Sequence, residues 1–185
     1  GHGEPRPGGT VYLSAADAGG MMVSFIQSNY YGFGSGVVVP GTGISMQNRG
    51  MGFSLERGHP NVVAGGKRPF HTIIPGFIMA DGRPLASFGV MGGPMQTQGH
   101  VQMTVRMLLH GQNPQAASDA PRWQVMKGRE LLIEPGFPAS VARDLLARGH
   151  ALRETPPEQS FSYGGAQLIA RLPDDGGYIA GSDHR

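Results

Sequence analysis

The chain has 185 residues, no cysteine, 15% charged residues and a formal net charge of +2. Its length suits one domain with a sizeable core. The lack of cysteine excludes disulfides, thiolate zinc sites and a cysteine nucleophile. Lys and Arg never cluster beyond Lys67-Arg68, and no apolar run approaches the roughly 20 residues of a bilayer span, so neither nucleic acid nor a membrane is expected as a partner.

In chain order, Val11 to Ala16 and Met21 to Gln27 read as a hairpin over the turn Asp17-Ala18-Gly19-Gly20. The Gly-rich stretch Gly32 to Gly36 follows, then a short strand at Val37 to Val39 and a turn at Pro40 to Gly43. Residues 50–69 are polar, broken by Gly and Pro, and read as a loop. A second hairpin spans Thr72 to Met79 and Pro84 to Val90 around Ala80-Asp81-Gly82-Arg83. The spacing of Val101, Val105, Leu108 and Leu109 predicts a helix from Gln98 to His110 with that face apolar, stopped by Gly111. A second helix is predicted from Pro138 to Arg148, closed by Gly149. Strands are expected at Glu130 to Ile133, Gln167 to Arg171 and Tyr178 to Ala180. Hairpins dominate, so the expected class is α+β, with a largely antiparallel sheet and flanking helices.

The seven histidines show no i,i+3 or i,i+4 pair, so no metal is expected, and nothing calls for a cofactor. Gly32-Phe33-Gly34-Ser35-Gly36 lacks the Lys-Ser/Thr and helix of a phosphate cradle and reads as a glycine-requiring turn. Two features carry more. Thr10 stands at the very start of a strand, after Gly9; a threonine hydroxyl needs a base, and the residue's own α-amino group becomes one once the preceding peptide bond is cut. Met91-Gly92-Gly93-Pro94 joins a strand to a helix, where bare glycine N–H groups can face a developing oxyanion.

Taken together, Thr10-Val11-Tyr12, Phe33-Gly34-Ser35-Gly36, Lys67-Arg68-Pro69, Met91-Gly92-Gly93 and Asp119-Ala120-Pro121-Arg122, continuing in order to Gly181-Ser182-Asp183, resemble the small subunit of γ-glutamyltranspeptidases. These are N-terminal-nucleophile hydrolases that cut themselves into two subunits. The resemblance implies an αββα sandwich of which this chain forms the small-subunit part. Residues 1–9 would be a leader remnant of the upstream segment and 10–185 the small subunit. Its partners would be the large subunit of the same precursor, which supplies an Arg for the substrate carboxylate, and a small γ-glutamyl or related acyl amide. Thr10 would be the nucleophile in self-cleavage and turnover, Ser28 its hydroxyl partner, Gly92 and Gly93 the oxyanion hole, and Thr72 the second of two hydroxyls holding the substrate carboxylate.

The departures from the family pattern bear on the substrate. The family's Gln and Asp, which grip the substrate's α-amino group, fall at Arg49 and Gly52. The first of its two serines falls at His71 and its Asn near the nucleophile at Tyr30. The segment between Phe53 and Lys67 is too short for the family's lid. An ammonium would therefore meet a guanidinium and no carboxylate, so the expected donor is a carboxylate-bearing acyl group that need not carry the amine, of glutaryl or γ-linked polyglutamyl type rather than glutathione itself. Arg49 as a member of a structural ion pair is the alternative. The rival reading of the whole chain is an inactive relative that binds a ligand or plays a structural part.

Overall fold

The computed structural model describes residues 9–185. Most of the expected leader remnant, residues 1–8, lies outside the described residues. The chain falls into two compact units, one containing residues 9–11 and Ile26–Ile73, the other Tyr12–Phe25 and Ile74–Arg185.

The first hairpin is β1 (Thr10–Ala16) and β2 (Met22–Ser28), a two-stranded sheet. The second is β3 (Gly76–Ala80) and β4 (Arg83–Met91), which heads a four-stranded antiparallel sheet in the order β3-β4-β8-β9, with β8 at Gly165–Arg171 and β9 at Tyr178–Ser182. Alternation along β4 decides what each face meets. Phe88 and Val90 point into a core shared with Met103, Ala117, Ala166 and Leu168. Ser87 and Gly89 face the first hairpin: Ser14 Oγ donates to the Ser87 carbonyl (3.3 Å), Ser24 Oγ donates to the Gly76 carbonyl (2.7 Å), and a Cβ on Gly89 would lie 2.7 Å from the Tyr12 ring. A helix layer, a four-stranded layer and the Tyr12–Phe25 part of the two-stranded layer therefore stack within the second unit, in agreement with the expected sandwich.

The helix layer consists of α1 (Met95–Leu108) and the short α2 (Pro114–Asp119), the latter capped by Asn113, whose side chain accepts the Ala116 N–H. The inward face of α1 is not the expected one. Met95, Gln96, Gly99, Gln102 and Met103 are buried, whereas Val101, Leu108 and Leu109 are exposed. Two glutamines account for the rotation. Gln102 exchanges hydrogen bonds with both backbone groups of Trp123 (2.8 and 3.3 Å), and Gln98 does the same with Val125 (3.2 and 2.7 Å). Residues i,i+4 on a helix and i,i+2 on a strand both recur about every 6–7 Å, so two side-chain amides one turn apart act as a surrogate strand on this edge. Gly99 lets the helix approach; a Cβ there would stand 2.7 Å from Val90.

The edge belongs to a third sheet, β5 (Trp123–Val125), β6 (Glu130–Ile133) and β7 (Ala151–Glu154). β6 and β7 pair in parallel because α3 (Ala139–Ala147) is the crossover between them, an exception within the largely antiparallel arrangement expected. β5, β7 and α2 had no counterpart in the sequence reading. Two predicted strands shrink. Val37 to Val39 contributes one bridge, Val38 to Ser45, around an exposed turn. The strand expected from Thr72 begins only at Gly76.

The late start of β3 has a local cause and a measurable consequence. Ile74 would stand opposite Val90, but Pro75 has no N–H and the ladder stops. The Val90 N–H is taken instead by His100 Nε2 (3.1 Å), whose ring packs 4.8 Å from that of Phe88. Nε2 accepts only in the neutral imidazole, and burial lowers the His100 pKa to about 4. The unfolded chain, with a value near 6.5, then binds the extra proton between these limits. The stabilisation is present above about pH 6.5 and is lost as pH falls towards 4. Urea midpoints should show a loss of about 1–2 kcal/mol between pH 7 and pH 5. A His100→Gln variant should lose less over the same interval; an equal loss would remove His100 as the cause.

Candidate active site

β1 opens at Thr10 and β2 closes at Ser28, and the hairpin sets these residues opposite each other. At the turn, the Asp17 N–H donates to the Met21 carbonyl (3.0 Å); at the open end, the Asn29 N–H donates to the Gly9 carbonyl (3.1 Å). With the register pinned at both ends, Thr10 Oγ1 lies 2.7 Å from Ser28 Oγ.

The chain then turns back on itself. Tyr30 adopts a left-handed φ of 72° and its N–H donates to Ser28 Oγ (2.9 Å). The loop beyond is tied down by Asn48, whose side chain accepts the Tyr31 N–H (3.0 Å) and donates to the Gly34 carbonyl (3.1 Å). Gly34 is required here, because a Cβ would meet the Met46 carbonyl at 2.2 Å. This brings the 3-10 turn Arg49–Gly52 beside Ser28. Arg49 is 6% exposed; its Nη2 donates to Ser28 Oγ (2.9 Å), and its guanidinium carbon lies 4.9 Å from the centre of the Tyr30 ring. Burial lowers the Arg49 pKa and the Tyr30 phenol opposes that shift. Among the described residues no carboxylate pairs with Arg49.

Thr10, Ser28, Tyr30 and Arg49 thus form one connected group. His71 and Thr72 belong to the same unit, but no hydrogen bond joins them to that group among the described residues. His71 is exposed and accepts the Ile73 N–H at Nδ1 (3.2 Å). The Thr72 hydroxyl oxygen is buried with no hydrogen-bond partner among the described residues, a situation that invites a polar ligand. Gly52, the position matched to the family's Asp, has no room for a side chain: a Cβ would stand 2.3 Å from the Phe70 carbonyl oxygen.

In the second unit, Gly92 and Gly93 form the turn from β4 into α1, with φ of 141° and 58°. Their carbonyls accept the N–H groups of Met95 (3.2 Å) and Gln96 (3.0 Å) and so start the helix. Gly92 packs on Gly164, whose Cα would lie 2.8 Å from a Cβ on Gly92. Arg122, fully buried, holds that neighbour: Nη1 donates to the carbonyls of Tyr163 (3.0 Å) and Gly164, and Nη2 pairs with Asp183. Arg185 pairs with both Asp183 (3.0 Å) and Glu134 (2.5 Å). Burial pushes the Asp183 carboxyl up; Arg122 and the N–H groups of Ala166 and Arg185 outweigh it and leave the pKa below the usual value. Arg122 and Asp183 stood in the sequence only as parts of motifs. Nothing in their spacing pairs residues 61 positions apart.

Among the described residues no group of three or more His, Asp or Glu is placed to hold a metal ion, and no helix is long and apolar enough to cross a membrane.

The layering is that of the N-terminal-nucleophile hydrolases. A family model described as gamma-glutamyltranspeptidase matches residues 2–185. The chain is 41% identical to the oxamate amidohydrolase proenzyme of Klebsiella pneumoniae, over 93% of this chain and 33% of that protein. It is 38% identical to the glutathione hydrolase-like YwrD proenzyme of Bacillus subtilis, over 98% of this chain and 36% of that one. The crystal structure of a cephalosporin acylase from Bacillus halodurans superimposes with a TM-score of 0.85 at 52% identity, covering 94% of this chain and 32% of the acylase. The chain belongs to the γ-glutamyltranspeptidase family. It spans about a third of the length of the curated relatives it matches.

Proposed function

We propose that the chain is the nucleophile-bearing part of a self-cleaving amidohydrolase or acyltransferase. Residues 10–185 would be the small subunit, and residues 1–9 the end of the upstream segment that becomes the large subunit. The observation that carries this reading is the 2.7 Å contact between Thr10 Oγ1 and Ser28 Oγ at the first residue of β1. In self-cleavage, Thr10 Oγ1 attacks the Gly9 carbonyl carbon, the Gly9–Thr10 C–N bond breaks, and the hydroxyl proton ends on the freed amine. Water then hydrolyses the ester, leaving a Gly9 carboxylate and restoring the Thr10 hydroxyl. In turnover the freed α-amino group serves as base, Thr10 takes the acyl group of the substrate amide, and the amine departs. The N–H groups of Gly92 and Gly93 are assigned to the oxyanion, an interaction whose loss costs roughly 2.7–4 kcal/mol of barrier in known cases. Water is the proposed acceptor, since the short segment after Phe53 leaves no lid to exclude it.

For the acyl donor we propose a carboxylate-bearing amide that need not carry an α-amino group. Among the described residues Arg49 has no carboxylate partner and the Thr72 hydroxyl has no hydrogen-bond partner, and the Phe70 carbonyl fills the space beside Gly52. A γ-glutamyl ammonium would find no counter-charge there and would lose its hydration. The oxamate amidohydrolase relative fits this reading, because oxamate joins an amide directly to a carboxylate. The processed full-length enzyme should hydrolyse a glutaryl anilide with at least about tenfold higher kcat/KM than the γ-glutamyl anilide, a difference of about 1.4 kcal/mol. A clear preference for the γ-glutamyl compound would overturn the substrate assignment and leave the Thr10 chemistry standing.

A further inference from the structure

Among the described residues Ser28 Oγ has three polar neighbours, and the identity of two fixes the behaviour of the third. The Tyr30 N–H and the Arg49 guanidinium are donors without any acceptor alternative, each 2.9 Å from Ser28 Oγ. A hydroxyl oxygen has two lone pairs and one proton. With both lone pairs occupied, the 2.7 Å contact to Thr10 Oγ1 has one remaining arrangement, with Ser28 donating and Thr10 accepting. The Thr10 proton is then left free to move towards a base. The oxygen it leaves behind already accepts an O–H polarised by a cation on its far side. Hydrogen bonds in such a chain strengthen one another, and the last becomes charge-assisted as Thr10 Oγ1 gains negative charge.

The geometry points to Arg49 as a positioning residue that acts on Thr10 through Ser28, holding the Ser28–Thr10 hydrogen bond in the direction that leaves the Thr10 proton available for removal. This role differs from gripping a substrate carboxylate, and both are open to one guanidinium with five N–H donors. It rests on the reading of Thr10 as the nucleophile. Tyr30 contributes in two ways: its left-handed backbone aims the second donor at Ser28, and its ring lies against the guanidinium.

Self-cleavage of the full-length precursor isolates this role, because no external substrate is present for Arg49 to bind. With Arg49→Met, which keeps the apolar stem and removes the donor, cleavage at Gly9–Thr10 should slow by about 10- to 100-fold, the usual scale for losing a hydrogen bond from a charged donor. Arg49→Lys should recover most of that loss. In a Ser28→Ala background, adding Arg49→Met should slow cleavage by less than about twofold, since the relay is already gone. Arg49→Gln, which fills the space with a neutral amide, runs beside Arg49→Met in case the latter loses the fold; it too should slow cleavage in the Ser28 protein and add little in the Ser28→Ala protein. The processed enzymes should show the same pattern in kcat for an acyl amide that lacks a carboxylate, with KM little changed.

Penalties that multiply fully in the double variants, or a folded Arg49→Lys protein as slow as Arg49→Met, would overturn the relay while leaving Thr10 as nucleophile. A Thr10→Ala precursor cut as fast as the parent would overturn the nucleophile reading itself, and the Arg49 role with it.

Discussion

Expressed as its full-length precursor, the parent protein should yield a fragment whose first residue is Thr10, and the Thr10→Ala variant should remain a single chain. Intact mass and N-terminal sequencing read both. The expectation is all-or-none because three requirements converge on one atom. Self-cleavage needs an oxygen on the residue that follows the scissile carbonyl, and Thr10 Oγ1 is that oxygen. It needs the hydroxyl held beside a hydrogen-bond partner, and Ser28 Oγ is 2.7 Å away. It needs the scissile segment held in place, and the Gly9 carbonyl accepts the Asn29 N–H from the neighbouring strand. Alanine removes only the first of these and leaves the hairpin intact, so the uncut chain should still fold. Turnover should fall by at least about a thousandfold, the scale on which loss of a nucleophile is felt. A folded parent that stays uncut, like the Thr10→Ala protein, would instead favour the inactive-relative reading, with Thr10 as nothing more than the first residue of a strand.

The second large effect concerns stability. Arg122→Met should destabilise the protein by about 3–5 kcal/mol, the usual result of removing one member of a buried charged group. Arg122 is fully buried and supplies donors to the carbonyls of Ser118, Tyr163 and Gly164 as well as to Asp183. Methionine fills much of the volume but satisfies none of them, and among the described residues Asp183 keeps only Arg185 as a cationic partner. For a protein of this size the thermal midpoint should drop by roughly 6–20 °C. The loss is expected to be local in origin: Gly164, on which Gly92 packs, is held by the Arg122 side chain. A shift of less than about 1 kcal/mol in urea unfolding would show that the other partners of the network compensate.

Much of the fold was legible because its signals are local. The two hairpins follow from apolar runs bounded by Asp-Ala-Gly-Gly and Asp-Gly turns, and their observed strands differ from the expected ones mainly at Thr72 to Gly76, where Pro75 breaks the ladder. The reading of α1 erred in its face rather than its existence. Periodicity marks an apolar stripe, whereas the inward face is set by Gln98 and Gln102 meeting the backbone of Trp123 and Val125, a partner that no periodicity announces. The short β5 and β7 carry little pattern of their own; β7 exists because α3 returns the chain beside β6.

The candidate site divides in the same way. The order of residues alone picked out Thr10 as a hydroxyl at a strand start and Gly92-Gly93 as a strand-to-helix turn. The resemblance added Ser28, Tyr30, Arg49, His71 and Thr72. Tertiary structure decided which of these meet. It joined Thr10, Ser28, Tyr30 and Arg49 into one hydrogen-bonded group, left His71 exposed, and left the Thr72 hydroxyl buried without a partner among the described residues. It also closed the space at Gly52 with the Phe70 carbonyl and paired Arg122 with Asp183. The physical reason is one of range. Turn chemistry, apolar runs and chain order act over a few residues and are written in the sequence itself. The direction of a hydrogen bond at Ser28 depends on the Tyr30 N–H two residues on and on a guanidinium delivered by a loop 21 residues further on, and their arrival at one oxygen atom is a property of the folded chain.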